Sequence, residues 1–263
     1  MFGRITPVVK TLLLINIGVF IFQSFLGLPL AEWFGYRFIH AETFQPYQIF
    51  TYMFIHAGFW HLFGNMFALF IFGPMLEMVF GSKRFMLFYL LTGLGAGVLY
   101  GIVNYIEMYR LQDIIVSFTA APSPEKLLDF VLNYTNNSSP QIYKFVHEVF
   151  PENPDNPVYI REAKQMMEAV YTMHTNTPMV GASGSVFGIL MGFGLLFPNV
   201  ELMLLIPPIP IKAKYFVTLY GAYELYSVMN HRPDDNVAHL AHIGGMLFAF
   251  ILIKYWNIRK PGI

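Results

Sequence analysis

The sequence predicts an all-α polytopic membrane protein: a bundle of six transmembrane helices with a small helical extramembrane insertion between spans 3 and 4. Three observations carry this. Only 12% of the 263 residues are charged, against about 25% in an ordinary soluble domain. The charges are clustered, so residues 11–31, 43–76, 85–106, 169–200 and 236–253 contain no Asp, Glu, Lys or Arg. A further stretch, 215–223, continues past one acid, Glu224, to His231. A bilayer core about 30 Å thick takes roughly 20 apolar residues at 1.5 Å each. Five runs meet or approach that length, and the sixth does if Glu224 faces inward. Lipid offers no partner for an unpaired backbone group, which leaves helices or closed barrels. These runs are too long and too continuous for barrel strands of about ten alternating residues.

Span 1 covers about 8–28. Arg4 and Lys10 precede it as they would a signal peptide, but no small-x-small cleavage site follows before Pro29, so it is read as an anchor. Spans 2 and 3 cover about 58–80 and 84–106; spans 4, 5 and 6 cover about 180–198, 212–230 and 237–256. Orientation follows the basic residues of the short connections. Arg4 and Lys10, Lys83 and Arg84, Lys212 and Lys214, and Lys254, Arg259 and Lys260 all fall on one side if the helices alternate. Both termini are then cytoplasmic. The opposite side receives the loop 33–47, the long segment 107–177 and the loop 229–236.

Segment 107–177 holds most of the acids and has helix-start signals at Ser123-Pro124-Glu125, Ser139-Pro140 and Asn156-Pro157. It reads as two or three short amphipathic helices lying on the outer face. Its Asn-x-Ser/Thr patterns at Asn133, Asn136 and Asn137 are chance matches at this length.

Composition also excludes chemistry. Sixteen basic residues balance sixteen acids, so there is no overall basic footprint for nucleic acid. No Cys is present, which removes disulfides, thiolate metal sites, iron–sulfur clusters and a Cys nucleophile. What remains is the small set of polar side chains inside the spans, each expensive in lipid and therefore a functional candidate. Span 2 carries His61 and Asn65, an i,i+4 pair on one helix face. Span 4 opens with Gly181-Ala182-Ser183-Gly184, span 5 holds Glu224, and span 6 opens with His239 and His242. His61, Ser183 and His242 lie at one shallow depth near the outer helix ends.

Small residues indicate which helices touch. Gly184, Gly188 and Gly192 line span 4; Ala238, Ala241, Gly245 and Ala249 line span 6; Gly93, Gly97 and Gly101 lie along span 3. Such stripes let backbones approach closely in lipid. Packing spans 4 and 6 along them brings a hydroxyl beside an imidazole, the minimum pair for nucleophilic catalysis. Phe187, one turn after Ser183, is placed to stack on His242. Simpler readings exist for each residue alone. An intramembrane Ser usually bonds its own helix; Asn65 suits a helix–helix hydrogen bond; Glu224 suits a structural partner for a backbone or Tyr group. His239 and His242 at i,i+3 suit a metal, although no His-Glu-x-x-His accompanies them.

Taken together, His61-Leu62-Phe63-Gly64-Asn65, Gly181-Ala182-Ser183-Gly184 and Ala241-His242-Ile243-Gly244-Gly245 resemble the signatures of the rhomboid intramembrane serine proteases. The resemblance covers essentially all six spans, a single rhomboid membrane domain over 1–263 with the segment 107–177 outside the match. It implies Ser183 as nucleophile and His242 as general base and acid. The oxyanion hole would comprise His61, Asn65 and the Ser183 N–H, with Phe187, Gly181 and Gly184 in support. No third acid stands at the expected position, so a Ser-His dyad is expected, needing neither cofactor nor metal. Where many relatives carry a Trp-Arg pair in the first outer loop, this chain reads Pro46-Tyr47-Gln48. The implied partners are single-span or other transmembrane substrates in the bilayer, cut near their extracytoplasmic ends, with small side chains at the cleaved bond and lateral entry beside span 5. A catalytically silent client-binding relative would have lost Ser183 or His242, and a transporter would show internal repeats and mid-membrane polar residues. Absence of Cys and of a targeting sequence points to a bacterial inner membrane. Oligomeric state is not specified.

Overall fold

A computed structural model describes residues 5–135, 139–203, 208–230 and 237–260. Arg4, Asn136 and Asn137, and most of the loop 229–236, lie outside the described residues. The chain is mostly helical. Helix α1 is Pro7–Leu26, followed by the short α2, Leu30–Phe34. Helix α3, Gln48–Thr51, runs into a 3-10 turn at Tyr52–Phe54, and α4 is Phe59–Phe80. Gly81, at φ 74, reverses the chain into α5, Ser82–Ala120. Then come α6 (Pro124–Tyr134), α7 (Pro140–Lys144), a π turn (Phe145–Val149), α8 (Phe150–Glu152) and α9 (Pro157–Asn176). Helix α10, Ser183–Leu196, precedes a two-stranded antiparallel hairpin of β1 (Glu201–Met203) and β2 (Pro210–Lys212). Helices α11, Ala213–Met229, and α12, His239–Tyr255, complete the chain.

Among the described residues, α1, α4 and α5 are long and apolar enough to cross a membrane, and α10 and α12 are shorter apolar helices. Their outward faces are greasy: Leu14, Ile21 and Phe25 on α1, and Phe63, Phe67 and Phe70 on α4, are all exposed. Water would not tolerate so much apolar surface, but lipid does.

The bundle is organised around α10, whose Ser185, Phe187, Ile189, Leu190 and Phe193 are buried and which packs on α4, α5, α11 and α12. Its glycines set the spacing. A Cβ on Gly184 would lie 2.4 Å from that of Ala96 on α5, and one on Gly245 of α12 would lie 1.9 Å from the Gly184 carbonyl oxygen. Ser185 donates to the Tyr89 carbonyl at 2.8 Å, tying α10 to α5. Near the C-terminal end of α4 the carboxylate of Glu77, 3% exposed, accepts from the backbone N–H of Val8 and Val9 at 3.0–3.1 Å. An acid from α4 therefore caps the first turn of α1, where orphan donors and the helix dipole both favour negative charge.

Segment 107–177 departs from expectation. Helix α5 does not stop at Glu107 but continues to Ala120, 39 residues in all, about 58 Å of rod at 1.5 Å per residue. Among the described residues four further helices and a π turn follow, rather than two or three. They do not simply lie flat, because they enclose a second core of Met108, Leu111, Phe118, Leu127, Phe130, Val131, Phe150 and Met167, which also takes in Phe38 from the first loop. Caps match the signals read in the sequence: Ser123 accepts from Lys126 N–H, and Asn156 from Val158 N–H.

The first loop is anchored where Pro46-Tyr47-Gln48 stands. Gln48 is 1% exposed; its amide donates to the carbonyls of Trp33 and Thr43, and its Oε1 accepts from Gln45 N–H. One buried amide thus binds three points of the loop.

Because the α10–α12 contact has no room for a methyl, Gly245→Ala should destabilise the protein by about 1–3 kcal/mol through overpacking. Gly18→Ala, where a Cβ would meet nothing within 4 Å, should leave the thermal midpoint in detergent unchanged or raised. Equal midpoints for the two variants would refute the close contact.

Candidate active site

The segment from Met179 to Ala182, just before α10, sets the site. Tyr36 and Met179 exchange backbone hydrogen bonds at 2.9 and 2.8 Å, and Gly181 N–H donates to the Tyr52 carbonyl at 3.0 Å. Gly181 itself sits at φ 127, a conformation that favours glycine. The chain then turns into α10 at its first residue, Ser183.

Ser183 Oγ lies 2.8 Å from Nε2 of His242 on α12. The other ring nitrogen, Nδ1, lies 2.9 Å from Oε2 of Glu224 on α11. A carboxylate can only accept, so the ring proton belongs on Nδ1, and the Nε2 lone pair receives the hydrogen bond from Ser183. Phe187 stacks on the imidazole with centroids 4.0 Å apart and planes 8° from parallel. Tyr220 of α11 backs Phe187 at 4.8 Å. The ring is held by its edge and its face.

The expectation that no acid stands behind His242 is therefore corrected. Glu224 is 2% exposed, and the side-chain partners it has among the described residues are two imidazoles rather than the expected backbone or Tyr group. His239 Nδ1 donates to the same Oε2 at 2.6 Å. The one visible signal in the sequence was a lone acid in an apolar helix; its partner depends on how α11 leans on α12, which spacing along one chain does not reveal.

His61 and Asn65 lie on α4. A Cβ on Gly181 would fall 2.6 Å from the His61 ring and 3.8 Å from the Ser183 nitrogen, so imidazole and amide flank the same glycine. Asn65, 6% exposed, gives one Nδ2 proton to the His61 carbonyl at 3.0 Å, and a primary amide has a second. The Ser183 N–H belongs to the first turn of α10, where donors lack helical partners and the dipole is positive. His56 packs edge-on to His61, with centroids 5.2 Å apart. Burial first, and the neighbouring His61 second, push His56 down to about 3, so it stays neutral at physiological pH.

Glu224, His239 and His242 bring three potential ligand atoms within 4.8 Å of one another. The 2.6 and 2.9 Å separations, however, are those of N–H donors on a carboxylate. Ligands about 2.0–2.1 Å from a tetrahedral metal stand about 3.3 Å apart.

The family model of the rhomboid domain matches residues 43–115 and 163–257, so the match extends into both ends of the segment 107–177 expected to lie outside it, and only 116–162 between them is left out. A mitochondrial rhomboid protein of Schizosaccharomyces pombe, named as uncharacterized, is 28% identical over 86% of this chain and 57% of its own length. YdcA of Bacillus subtilis, provisionally named a rhomboid protease, is 30% identical over 40% of this chain and 52% of its own. RHOMBOID-like protein 6 of Arabidopsis thaliana, named mitochondrial, is 44% identical over 55 residues, 21% of this chain and 18% of its own length. The chain spans about half the length of the first two. With two of these three named mitochondrial, the comparison supports a membrane protein without singling out a bacterial inner membrane.

Gly181→Ala places a methyl on the His61 ring and a side chain in a strained backbone. It should lower stability by about 1–3 kcal/mol and shift the His61 ring resonances in NMR spectra. Unchanged His61 resonances would show that the ring and the glycine are not in contact.

Proposed function

The chain belongs to the rhomboid family, and from that premise we propose that it is an intramembrane serine endopeptidase that cuts transmembrane segments near their extracytoplasmic ends. The observation that carries the reading is the 2.8 Å Ser183–His242 hydrogen bond at the N-terminus of a buried helix. In this reading α1, α4, the first part of α5, α10, α11 and α12 are six spans, both termini are cytoplasmic, and α6–α9 form an extramembrane module.

His242 takes the proton from Ser183 as Oγ attacks the scissile carbonyl, then gives it to the leaving amine. Water repeats the sequence on the acyl-enzyme and regenerates Ser183. The carbonyl oxygen, negative in the tetrahedral intermediate, is met by the Ser183 N–H and by side-chain donors from His61 and Asn65. Positioned donors of this kind are worth about 3–4 kcal/mol each. Ser183 is half-buried at the start of its helix, which suits a site that admits water from one side while lipid surrounds the rest. The substrate must unwind locally, because a helical peptide bond hides its carbonyl in the i to i−4 ladder. Segments bearing Gly, Pro or polar residues near the outer end are therefore the expected targets, with entry beside α11.

Membranes containing the protein and a single-span substrate test this directly. Wild type should release a fragment cut near the outer end of the span. Ser183→Ala and His242→Ala should lose at least about 10³-fold in rate. Asn65→Ala should lower kcat by about 10²-fold with KM little changed. Binding of substrate without cleavage by the wild type would instead identify a silent client-binding protein.

A further inference from the structure

Glu224 is a buried acid beside the Ser183–His242 pair that the proton transfers written above do not use. One of its oxygens, Oε2, is shared by two imidazole nitrogens, His239 Nδ1 at 2.6 Å and His242 Nδ1 at 2.9 Å. All three side chains are buried. A carboxylate removed from water at this depth needs such donors to be tolerated.

The placement of Glu224 along α11 matters equally. Ala213 and Val217 are buried at the start of that helix, and Glu224 is the buried residue of its other half. Leu219, Tyr223, Leu225, Tyr226 and Met229 are all exposed. In that half of α11 the polar ties to α12 are the two histidines, set beside a close packing contact of Gly221 on Met246, and Tyr220 reaches Phe187. Both supports of the His242 ring, the carboxylate at its edge and the tyrosine behind its stacking partner, come from α11.

Resting on the reading of Ser183 and His242 as nucleophile and base, we propose that Glu224 is a positioning residue: it fixes His242 in the Nδ1–H form through a bond that runs from α11 to α12. The bond to Nδ1 leaves Nε2 as the sole ring acceptor, directed at Ser183. When His242 takes the serine proton, the adjacent carboxylate stays ionised and stabilises the imidazolium. His239 holds Oε2 in place while His242 changes its charge through the cycle. A metal ion on the same three groups is the competing account, and the test includes it.

The experiment uses the full chain in membranes with a single-span substrate, comparing Glu224→Gln, Glu224→Asp and Ser183→Ala with wild type. Glu224→Gln should lower kcat by about 10²- to 10⁴-fold while leaving KM within about twofold. Glu224→Asp, which keeps the charge on a shorter arm, should recover part of that loss. An active wild type, a dead Ser183→Ala and a Glu224→Gln within about threefold of wild-type kcat would overturn this inference and leave the protease reading standing. A wild type that cleaves nothing would overturn the protease reading. The ring chemistry is then still decided by ¹⁵N NMR of histidine-labelled protein: His242 should be in the Nδ1–H form in wild type and shift toward the other tautomer in Glu224→Ala. No change in that spectrum would refute the positioning role. Stoichiometric zinc retained by purified wild type and lost from Glu224→Gln would replace it with a metal site.

Discussion

The contact on which the rest of this molecule depends is the one between the backbones of α10 and α12. Gly245 lies so close to the Gly184 carbonyl that no side chain fits between them. In lipid there is little hydrophobic gain in pressing two apolar helices together, so close van der Waals contact must supply the attraction. The same closeness places a residue one position before Gly184 within 2.8 Å of a residue three positions before Gly245. Ala96 and Thr92 of α5 fill the other side of α10 at Gly184 and Gly188, which prevents the helix from sliding away. The geometry of the hydroxyl and the imidazole is thus a by-product of how two glycines meet.

Around that contact the polar groups form a connected set. Ser183 bonds His242, His242 bonds Glu224, and Glu224 bonds His239. Such a chain, with every link satisfied, is tolerable in a medium that punishes each unpaired group. It also joins α10, α11 and α12 through side chains, where the small-residue contact joins α10 and α12 alone. Glu77 performs a comparable task far away in the sequence, joining α4 to the start of α1.

How legible this was from sequence varied with the kind of interaction. Apolar runs located α1, α4, α10, α11 and α12 within a few residues, because lipid selects on length and composition. Ser183, His242 and Phe187 could be read as neighbours because the glycine stripes named the helices that touch. The extension of α5 could not be read the same way. Loss of hydropathy at Glu107 marks where an apolar surface ends, whereas a helix ends only where its hydrogen bonds do. Its residues beyond that point, Met108, Leu111, Ile115 and Phe118, are compatible with helix and find a second core to bury against. The partner of Glu224 was hidden for a different reason: an acid on α11 and an imidazole on α12 are neighbours only through the tilt of one helix on another. Gln48 was also obscure, since a loop amide announces nothing until the carbonyls of Trp33 and Thr43 fold around it.

Phe38 gives the architecture an asymmetry of dependence. It leaves the first loop to sit in the core built by α5, α6 and α9, within the same loop whose Tyr36 pairs with Met179 just before Ser183. The helices between α5 and α10 are therefore not a detachable cassette. Excising them would expose an aromatic ring that belongs to another part of the chain, and with it loosen the edge along which Met179 is aligned.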